Sequence, residues 1–181
     1  PIQHASDKIL KAMGRRTNNA ELRNIISKLR KEIPDICLRT TLITGFPGET
    51  EEDHHILLDF IDEMEFDRLG VFTYSPEEDT KAASLDNQVD EEVKLCRKDE
   101  IMELQQEISM DKSERLVGKE FEVIIEGKAS DEDVYVGRSY MDAPSVDGYV
   151  FINSEEELMS GDFAKVRIVK AMEYDLIGEL I

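Results

Sequence analysis

ICLRTTLI, residues 36–43, runs into TGFPGETEEDHHILLDFIDEM, residues 44–64, and this stretch decides the fold. Residues 36–43 are long enough for a buried strand but too short for a helix. Thr50 then supplies a helix N-cap, and Glu51, Glu52 and Asp53 place negative charge in the positive first turn. The predicted buried stripe of this helix comprises Ile56, Leu57, Phe60, Ile61 and Met64. The stretch therefore predicts a strand, a glycine-containing loop and an amphipathic helix.

The elements on either side repeat this alternation. Helical periodicity covers residues 7–13 and 19–33, where Pro34 ends the second helix. Residues 1–4 are typical of the end of a strand, and residues 69–74 predict another. The order strand, helix, strand, helix, strand indicates right-handed βαβ units with a parallel sheet. The first part of the chain is therefore predicted to be α/β.

The second half of the chain has a different secondary-structure pattern. Residues 89–115 predict a long charged helix with a thin apolar seam, which we interpret as a connector. After Gly118, short strands at 121–126, 134–140, 148–152 and 164–172 alternate with turns. We expect strands of this kind to form a small antiparallel OB-like β-barrel. The predicted domains are therefore 1–88, a connecting helix at 89–116, and a barrel at 117–181.

The charge is strongly negative. The chain carries 22 Lys and Arg against 41 Asp and Glu, a net charge of −19. Residues 117–181 alone have 6 basic and 15 acidic side chains, the largest net negative charge of the three segments. Affinity for nucleic acid comes largely from Lys and Arg. The composition therefore disfavours nucleic acid and favours a basic partner.

The sequence also indicates the cellular compartment in which the protein is expected. No apolar run approaches the length that spans a bilayer, and no signal peptide is apparent, so we expect a soluble, cytoplasmic protein. Cys37 and Cys96 stand alone, without the spacing of a disulfide framework or a metal site. Because the chain begins at Pro1, within what resembles a strand, we expect it to be a piece of a longer polypeptide.

Loops at the carboxyl ends of parallel strands are where a ligand site is expected. These loops carry Gln3, His4 and Ser6, then residues 45–49, then residues 74–76. The loop at residues 45–49 is equally compatible with a ligand site and with a plain turn between strand and helix. His4 is equally compatible with a ligand contact and with a histidine whose hydrogen bonds are made within the protein at a strand end. His54 and His55 are interpreted as solvated surface, and Glu49 and the acidic clusters as unpaired charges at helix starts and turns.

Three motifs nevertheless carry a family resemblance. They are Pro1-Ile2-Gln3-His4-Ala5-Ser6-Asp7 with Leu10-Lys11-Ala12-Met13 and Arg15-Arg16; Arg39-Thr40-Thr41 leading to Gly45-Phe46-Pro47-Gly48-Glu49-Thr50; and residues 66–78, FDRLGVFTYSPEE. Together they resemble the methylthiotransferase branch of the radical S-adenosylmethionine (SAM) enzymes. Residues 105–109 resemble the same branch, and residues 174–178 resemble its TRAM barrel. The resemblance implies the last strands and helices of a partial TIM-like barrel, followed by TRAM.

The resemblance also implies a substrate. Gln3-His4-Ala5-Ser6 and the acidic barrel are closest to the members that methylthiolate the β-carbon of an aspartate in small-subunit ribosomal protein number twelve. That protein is basic, so the acidic barrel is expected to bind it, with nucleic acid and membranes unlikely partners. The alternatives are methylthiolation of a tRNA adenosine, as in MiaB-like relatives, and a binding module without chemistry.

Cofactors and contacts follow from the same resemblance. The family uses SAM and two 4Fe-4S clusters, but Cys37 and Cys96 match neither cluster motif, so we expect no metal site and no activity from this chain alone. The predicted SAM contacts are Gln3, His4, Ser6, Arg39, Gly45, Phe46, Pro47, Gly48, Phe72 and Tyr74. Glu49 lies one position late for the family's GxIxGxxE spacing, and Arg39 alternatively pairs with a carboxylate.

Overall fold

The computed structural model describes residues 1–129 and 133–181. These residues form two compact units, Pro1–Ile108 and Ser109–Ile181. The division falls inside a long helix, Glu91–Glu114, so this helix contributes residues to both units.

The first unit is an α/β unit with a parallel sheet. Its elements are α1 (Asp7–Ala12), α2 (Asn19–Glu32), β1 (Arg39–Thr44), α3 (Glu51–Met64), β2 (Arg68–Thr73) and the start of α4 (Glu91–Glu114). Strands β1 and β2 pair in parallel from Arg39 opposite Arg68 to Thr44 opposite Thr73. On the other side of β1, Gln3 forms a parallel bridge to Leu42. The predicted parallel arrangement is therefore confirmed.

Strand β1 begins at Arg39, later than the predicted start at residue 36. Ile36 donates its N–H to the carbonyl of Ile33, which belongs to the turn that follows α2. Leu38 donates its N–H to the Asp67 carboxylate at 2.7 Å. These hydrogen bonds replace the strand ladder before Arg39.

Two capping boxes fix the starts of α2 and α3. At α2, the Asn18 side chain accepts the N–H of Glu21, and the Glu21 carboxylate accepts the N–H of Asn18. At α3, Thr50 and Asp53 exchange the same two bonds, so the predicted N-cap is confirmed. Each box satisfies backbone donors that a helix start leaves open.

The core of the first unit lies between the sheet and the helices. The predicted stripe of α3 is buried except for Ile56, which is 37% exposed. This core contains Ala5, Leu10, Leu22, Ile26, Leu42, Leu57, Phe60, Ile61, Met64, Phe66, Val71, Ile101 and Ile108. Leu42 and Val71 are paired in the β1–β2 ladder, so their side chains lie on the same face of the sheet. This is the face that packs against the helices.

The second unit contains a closed barrel with strand order β3-β4-β5-β7-β6. Its strands are β3 (Glu120–Lys128), β4 (Val134–Arg138), β5 (Val150–Asn153), β6 (Phe163–Ala171) and β7 (Leu176–Leu180). The pairings are antiparallel except β5 with β7, which is parallel. The predicted OB-like barrel is thus present, with one parallel pair that the sequence did not predict.

Candidate functional site

A groove opens at the carboxyl ends of the parallel strands in the first unit. Its volume is about 720 Å³, and it is lined by Gln3, Ala12, Met13, Gly14, Arg15, Thr41, Ile43, Phe46, Phe72, Thr73, Tyr74, Ser75, Lys81 and Ala82. This is the edge of an open α/β sheet at which ligands usually bind.

Strand alternation explains the floor of the groove. Ile43 and Phe72 lie opposite each other in the β1–β2 ladder, on the face away from Leu42 and Val71. Phe72 is 65% exposed, although large apolar side chains are usually buried. Gln3 completes the floor: its N–H donates to Thr41 at 3.1 Å, and its carbonyl accepts from Ile43 at 2.8 Å. The floor therefore consists of backbone and apolar side chains from three adjacent segments.

Aromatic residues build one wall. Phe46 and Tyr74 contact edge to face, with ring centroids 5.2 Å apart. They pack with Ile9 in a small apolar cluster that also touches Met13, Ile43 and Ala82. The Tyr74 hydroxyl is buried without a hydrogen-bond partner among the described residues, which leaves a polar group in this wall.

Glu49 holds the loop that carries Phe46. Its Oε2 accepts the N–H groups of Gly45 at 2.7 Å and Phe46 at 3.1 Å. His4 Nε2 lies 3.5 Å from the same oxygen, and Arg97 Nη1 lies 3.0 Å from Oε1. Burial alone would raise the pKa of Glu49, but His4, Arg97 and the Phe46 N–H outweigh it and lower the pKa. The interpretation of Glu49 as an unpaired charge at a turn was therefore wrong.

Ser6 belongs to a different network. Its hydroxyl donates to Asp53 Oδ1 at 2.6 Å, and Lys8 donates to Oδ2 at 2.6 Å. The Thr50 N–H and hydroxyl also donate to Asp53 Oδ2. Burial opposes ionisation, but these donors prevail and hold the pKa of Asp53 well below its ordinary value. Ser6 and Asp53 line a second cavity, of about 680 Å³, beside α2 and α3.

His54 is also placed differently from the prediction. Its side chain is fully buried, and Nε2 lies 2.7 Å from Glu100 Oε2 on α4. This hydrogen bond is the main reason that the pKa of Glu100 is lowered. His54 therefore joins α3 to α4 instead of facing solvent, whereas His55 is exposed as expected.

The predicted contacts fall into two groups. Gln3, Phe46, Phe72 and Tyr74 line the groove. The others lie outside its lining: His4 is buried beside Glu49, Ser6 binds Asp53, and Arg39 is exposed at the start of β1. Gly45, Pro47 and Gly48 form the loop behind Phe46, and Gly45 and Gly48 adopt left-handed backbone angles, φ 74° and 83°, that favour glycine. Contact of any of these residues with a cofactor stays a prediction.

Sequence reasoning missed two cations at the groove, Arg15 and Lys81. Arg15 follows Gly14, whose φ of 75° ends the short helix α1 and turns the chain toward the groove. Lys81 lies in the loop after β2. A glycine after α1 could have indicated the first turn, but no local pattern marks Lys81.

Neither a metal-binding cluster of side chains nor a membrane-spanning helix occurs in the part of the chain that the structure describes. Within residues 1–129 and 133–181, no group of three or more His, Cys, Asp or Glu side chains is arranged to hold a metal ion. Cys37 and Cys96 form no disulfide. In the same described ranges, no helix has the length and apolarity needed to cross a membrane.

Comparison with known proteins adds the family. The Radical SAM superfamily profile matches residues 1–61, and the TRAM domain profile matches residues 117–181. A protein of Lachnoclostridium phytofermentans is 60% identical over 178 residues, which cover 98% of this chain and 40% of that protein. A protein of Acetivibrio thermocellus is 52% identical over 181 residues, covering 100% of this chain and 40% of that protein. Both are named ribosomal protein uS12 methylthiotransferase RimO.

The chain thus spans about 40% of the length of these relatives. The two profiles confirm the predicted architecture, a radical SAM segment followed by an OB-like TRAM barrel. The chain is therefore similar along its whole length to proteins named ribosomal protein uS12 methylthiotransferase RimO, and it combines a radical SAM segment with a TRAM domain.

Proposed function

We propose that this chain supplies the SAM groove and a substrate-docking barrel to a cytoplasmic enzyme that methylthiolates the β-carbon of an aspartate in ribosomal protein uS12. The groove at the carboxyl ends of the strands is the observation that carries the proposal. The names of the RimO relatives support the choice of uS12.

The chemistry of the groove fits SAM. An adenine ring and a thioether chain need apolar and aromatic surface, which Ile43, Phe46 and Phe72 provide. The carboxylate of the methionyl group needs a cation, and Arg15 and Lys81 lie in the lining. The Tyr74 hydroxyl and the Gln3 side chain are the polar groups expected to orient the ligand. When bound, SAM supplies the radical-forming adenosyl group and the methyl group of this chemistry.

The iron-sulfur clusters do not fit this chain. Such clusters are held by sets of cysteine thiolates, and Cys37 and Cys96 do not form such a set. No alternative ligand group is present among the described residues. We therefore propose that residues outside this chain ligate both clusters, and that the chain alone is inactive.

The barrel is proposed to bind uS12 by charge. Of its six basic side chains, three are already paired with acidic neighbours: Lys128 with Asp133, Arg138 with Glu126, and Arg167 with Glu120. These pairs neutralise half of the basic side chains of the barrel, which leaves less positive charge to bind phosphate groups. An acidic surface raises the encounter rate with a basic protein and suppresses binding of nucleic acid.

The test uses the complete polypeptide that contains this chain, reconstituted with iron and sulfide without oxygen. It is incubated with SAM, a reductant and either uS12 or tRNA, and both are analysed by mass spectrometry. We expect a methylthio group to replace one hydrogen of an aspartate in uS12. Modification of tRNA adenosine with unmodified uS12 would favour a MiaB-like function. No cleavage of SAM by the reconstituted polypeptide would favour a binding module.

A further inference from the structure

Two cations are buried on one face of α4. Lys94 is 2% exposed and Arg97 is 6% exposed. Residues three apart in a helix lie on the same face, so both side chains point the same way. Burying a charge is costly unless it is paired. The partners of these two cations therefore indicate the structural role of this face of α4.

Arg97 holds the Phe46 wall of the groove through Glu49. Its Nη1 donates to Glu49 Oε1 at 3.0 Å, while Glu49 Oε2 accepts the N–H groups of Gly45 and Phe46. Thr44 donates its hydroxyl to Oε1 at 3.2 Å. The guanidinium thus fixes the carboxylate around which the loop after β1 is folded.

Lys94 holds the Tyr74 wall. Its Nζ donates to the Tyr74 carbonyl at 3.0 Å and lies 5.5 Å from the centroid of the Tyr74 ring. Its stem also packs on Gly45, where a methyl group would overlap Lys94 Cγ. Glu91 neutralises the ammonium at 2.6 Å. One buried lysine therefore contacts both the end of β2 and the loop after β1.

We propose that Lys94 and Arg97 are positioning residues for SAM, which rests on the proposed function of the groove. Neither side chain lines the groove itself. They act through Tyr74 and Phe46, whose rings must keep their edge-to-face contact to shape the aromatic wall. The face of α4 that a sequence pattern assigns to solvent is, in this proposal, part of the binding machinery.

The test measures S-adenosylhomocysteine binding by equilibrium dialysis, using the complete polypeptide that contains this chain. Lys94→Met keeps the stem and removes the ammonium. The double variant Arg97→Gln/Glu49→Gln removes both charges of the pair, so no buried charge is left alone. We expect each to raise the Kd about 10- to 100-fold with unchanged circular dichroism, because small displacements of positioning groups have effects of this size. Lys98→Met, half-buried on the same helix, should leave the Kd unchanged.

A second measurement does not depend on the ligand. Hydrogen exchange at the Gly45 and Phe46 amides should accelerate in both variants and not in Lys98→Met. The double variant removes the ion pair that fixes their acceptor at position 49, and Lys94→Met removes the ammonium that anchors the stem packed on Gly45. Arg97→Lys, which keeps the charge, should recover part of the affinity. A merely structural role would change the global unfolding free energy without this local change in exchange.

Phe72→Ala separates the two proposals, since Phe72 lines the groove and is exposed. The assignment of the groove to SAM is wrong if the unaltered polypeptide does not bind the analogue, or if Phe72→Ala binds it equally well. In that case amide exchange alone decides whether Lys94 and Arg97 position the groove walls. If Phe72→Ala weakens binding while the Lys94 and Arg97 variants bind and exchange like the unaltered polypeptide, the positioning proposal is overturned.

Discussion

Arg97 Nη1 lies 3.0 Å from Glu49 Oε1, although the two residues are 48 positions apart in the sequence. The Arg97 side chain is 8% exposed and that of Glu49 is fully buried. Each charge therefore depends on the other for the solvation that water would provide. The pair joins α4 to the loop that shapes the groove.

Replacing Glu49 by Gln should destabilise the first unit. The substitution keeps an oxygen for the N–H groups of Gly45 and Phe46 but removes the charge opposite Arg97. Removal of one partner of a buried pair costs about 3–5 kcal/mol, and we expect the lower value because Glu51 also lies 3.3 Å from Arg97. Urea unfolding followed by far-UV circular dichroism measures the loss. Glu52→Gln, at an exposed position of α3, is the matched control, and an equal loss there would contradict the role of the pair.

Asp53 should make the stability of the first unit sensitive to acid. Its pKa in the folded chain lies below the ordinary value of 3.8, so the unfolded chain takes up the proton first as the pH falls. The stabilisation is therefore complete above about pH 5 and is lost progressively at lower pH.

Asp53→Asn should flatten this acid dependence and lower the stability at neutral pH. Urea unfolding at a series of pH values between neutral and strongly acidic measures both effects. Asp59→Asn, at an exposed position on the same helix, should keep the acid dependence of the unaltered chain. An unchanged profile for Asp53→Asn would show that the bonds from Ser6 and Lys8 do not control this carboxylate.

The fold of the first unit was largely predictable because its signals are local. The Thr50 cap, the short β-rich run of β1 and the stop at Pro34 each act within a few residues. The barrel strands were predicted as short runs between turns, but their closure by a parallel β5–β7 pair was not. Pairing between strands distant in sequence leaves no local pattern, because either direction buries the same alternate residues.

The candidate site was less predictable, because its charged residues are paired over long distances. Glu49, His54, Lys94 and Arg97 all resemble surface charges in the sequence, yet all four are buried. Hydropathy assigns such side chains to solvent, and only the fold shows that their partners lie on another element. Phe46 and Tyr74 were predicted because they directly follow strands, where the topology itself fixes their place.

Gly148→Ala should destabilise the barrel. A methyl group at this position would overlap the backbone carbonyl of Tyr174, which cannot move freely because Asp175 and Leu176 are hydrogen-bonded to Tyr149. Overpacking of this kind typically costs about 1–3 kcal/mol. Tyrosine fluorescence can follow unfolding, since the chain has no Trp and four of its five Tyr lie in the second unit. Gly127→Ala, on β3 with open space around it, should cost much less, and similar losses would contradict the packing argument.

Neutralising the acidic loop of the barrel should weaken binding to uS12. Glu155, Glu156 and Glu157 are exposed between β5 and β6 and form a run of three consecutive negative charges in the second unit. Replacing all three by Gln in the complete polypeptide should raise the Kd for uS12 about threefold or more, because each exposed ion pair contributes about 0.2–1 kcal/mol. The salt dependence of the Kd should also become shallower, since fewer charges take part.

The matched control changes charge by the same amount in the first unit. Glu32, Asp59 and Asp62 are exposed on α2 and α3, and their replacement by Gln, Asn and Asn also removes three negative charges. If docking uses the barrel, only the loop variant should weaken binding substantially, because screening confines exposed charges to a range of about 8 Å at physiological salt. Equal effects from both variants would show that uS12 responds to the net charge of −19 and not to the barrel. Tighter tRNA binding by the loop variant, with unchanged uS12 binding, would mean that the loop excludes nucleic acid instead of docking a basic protein.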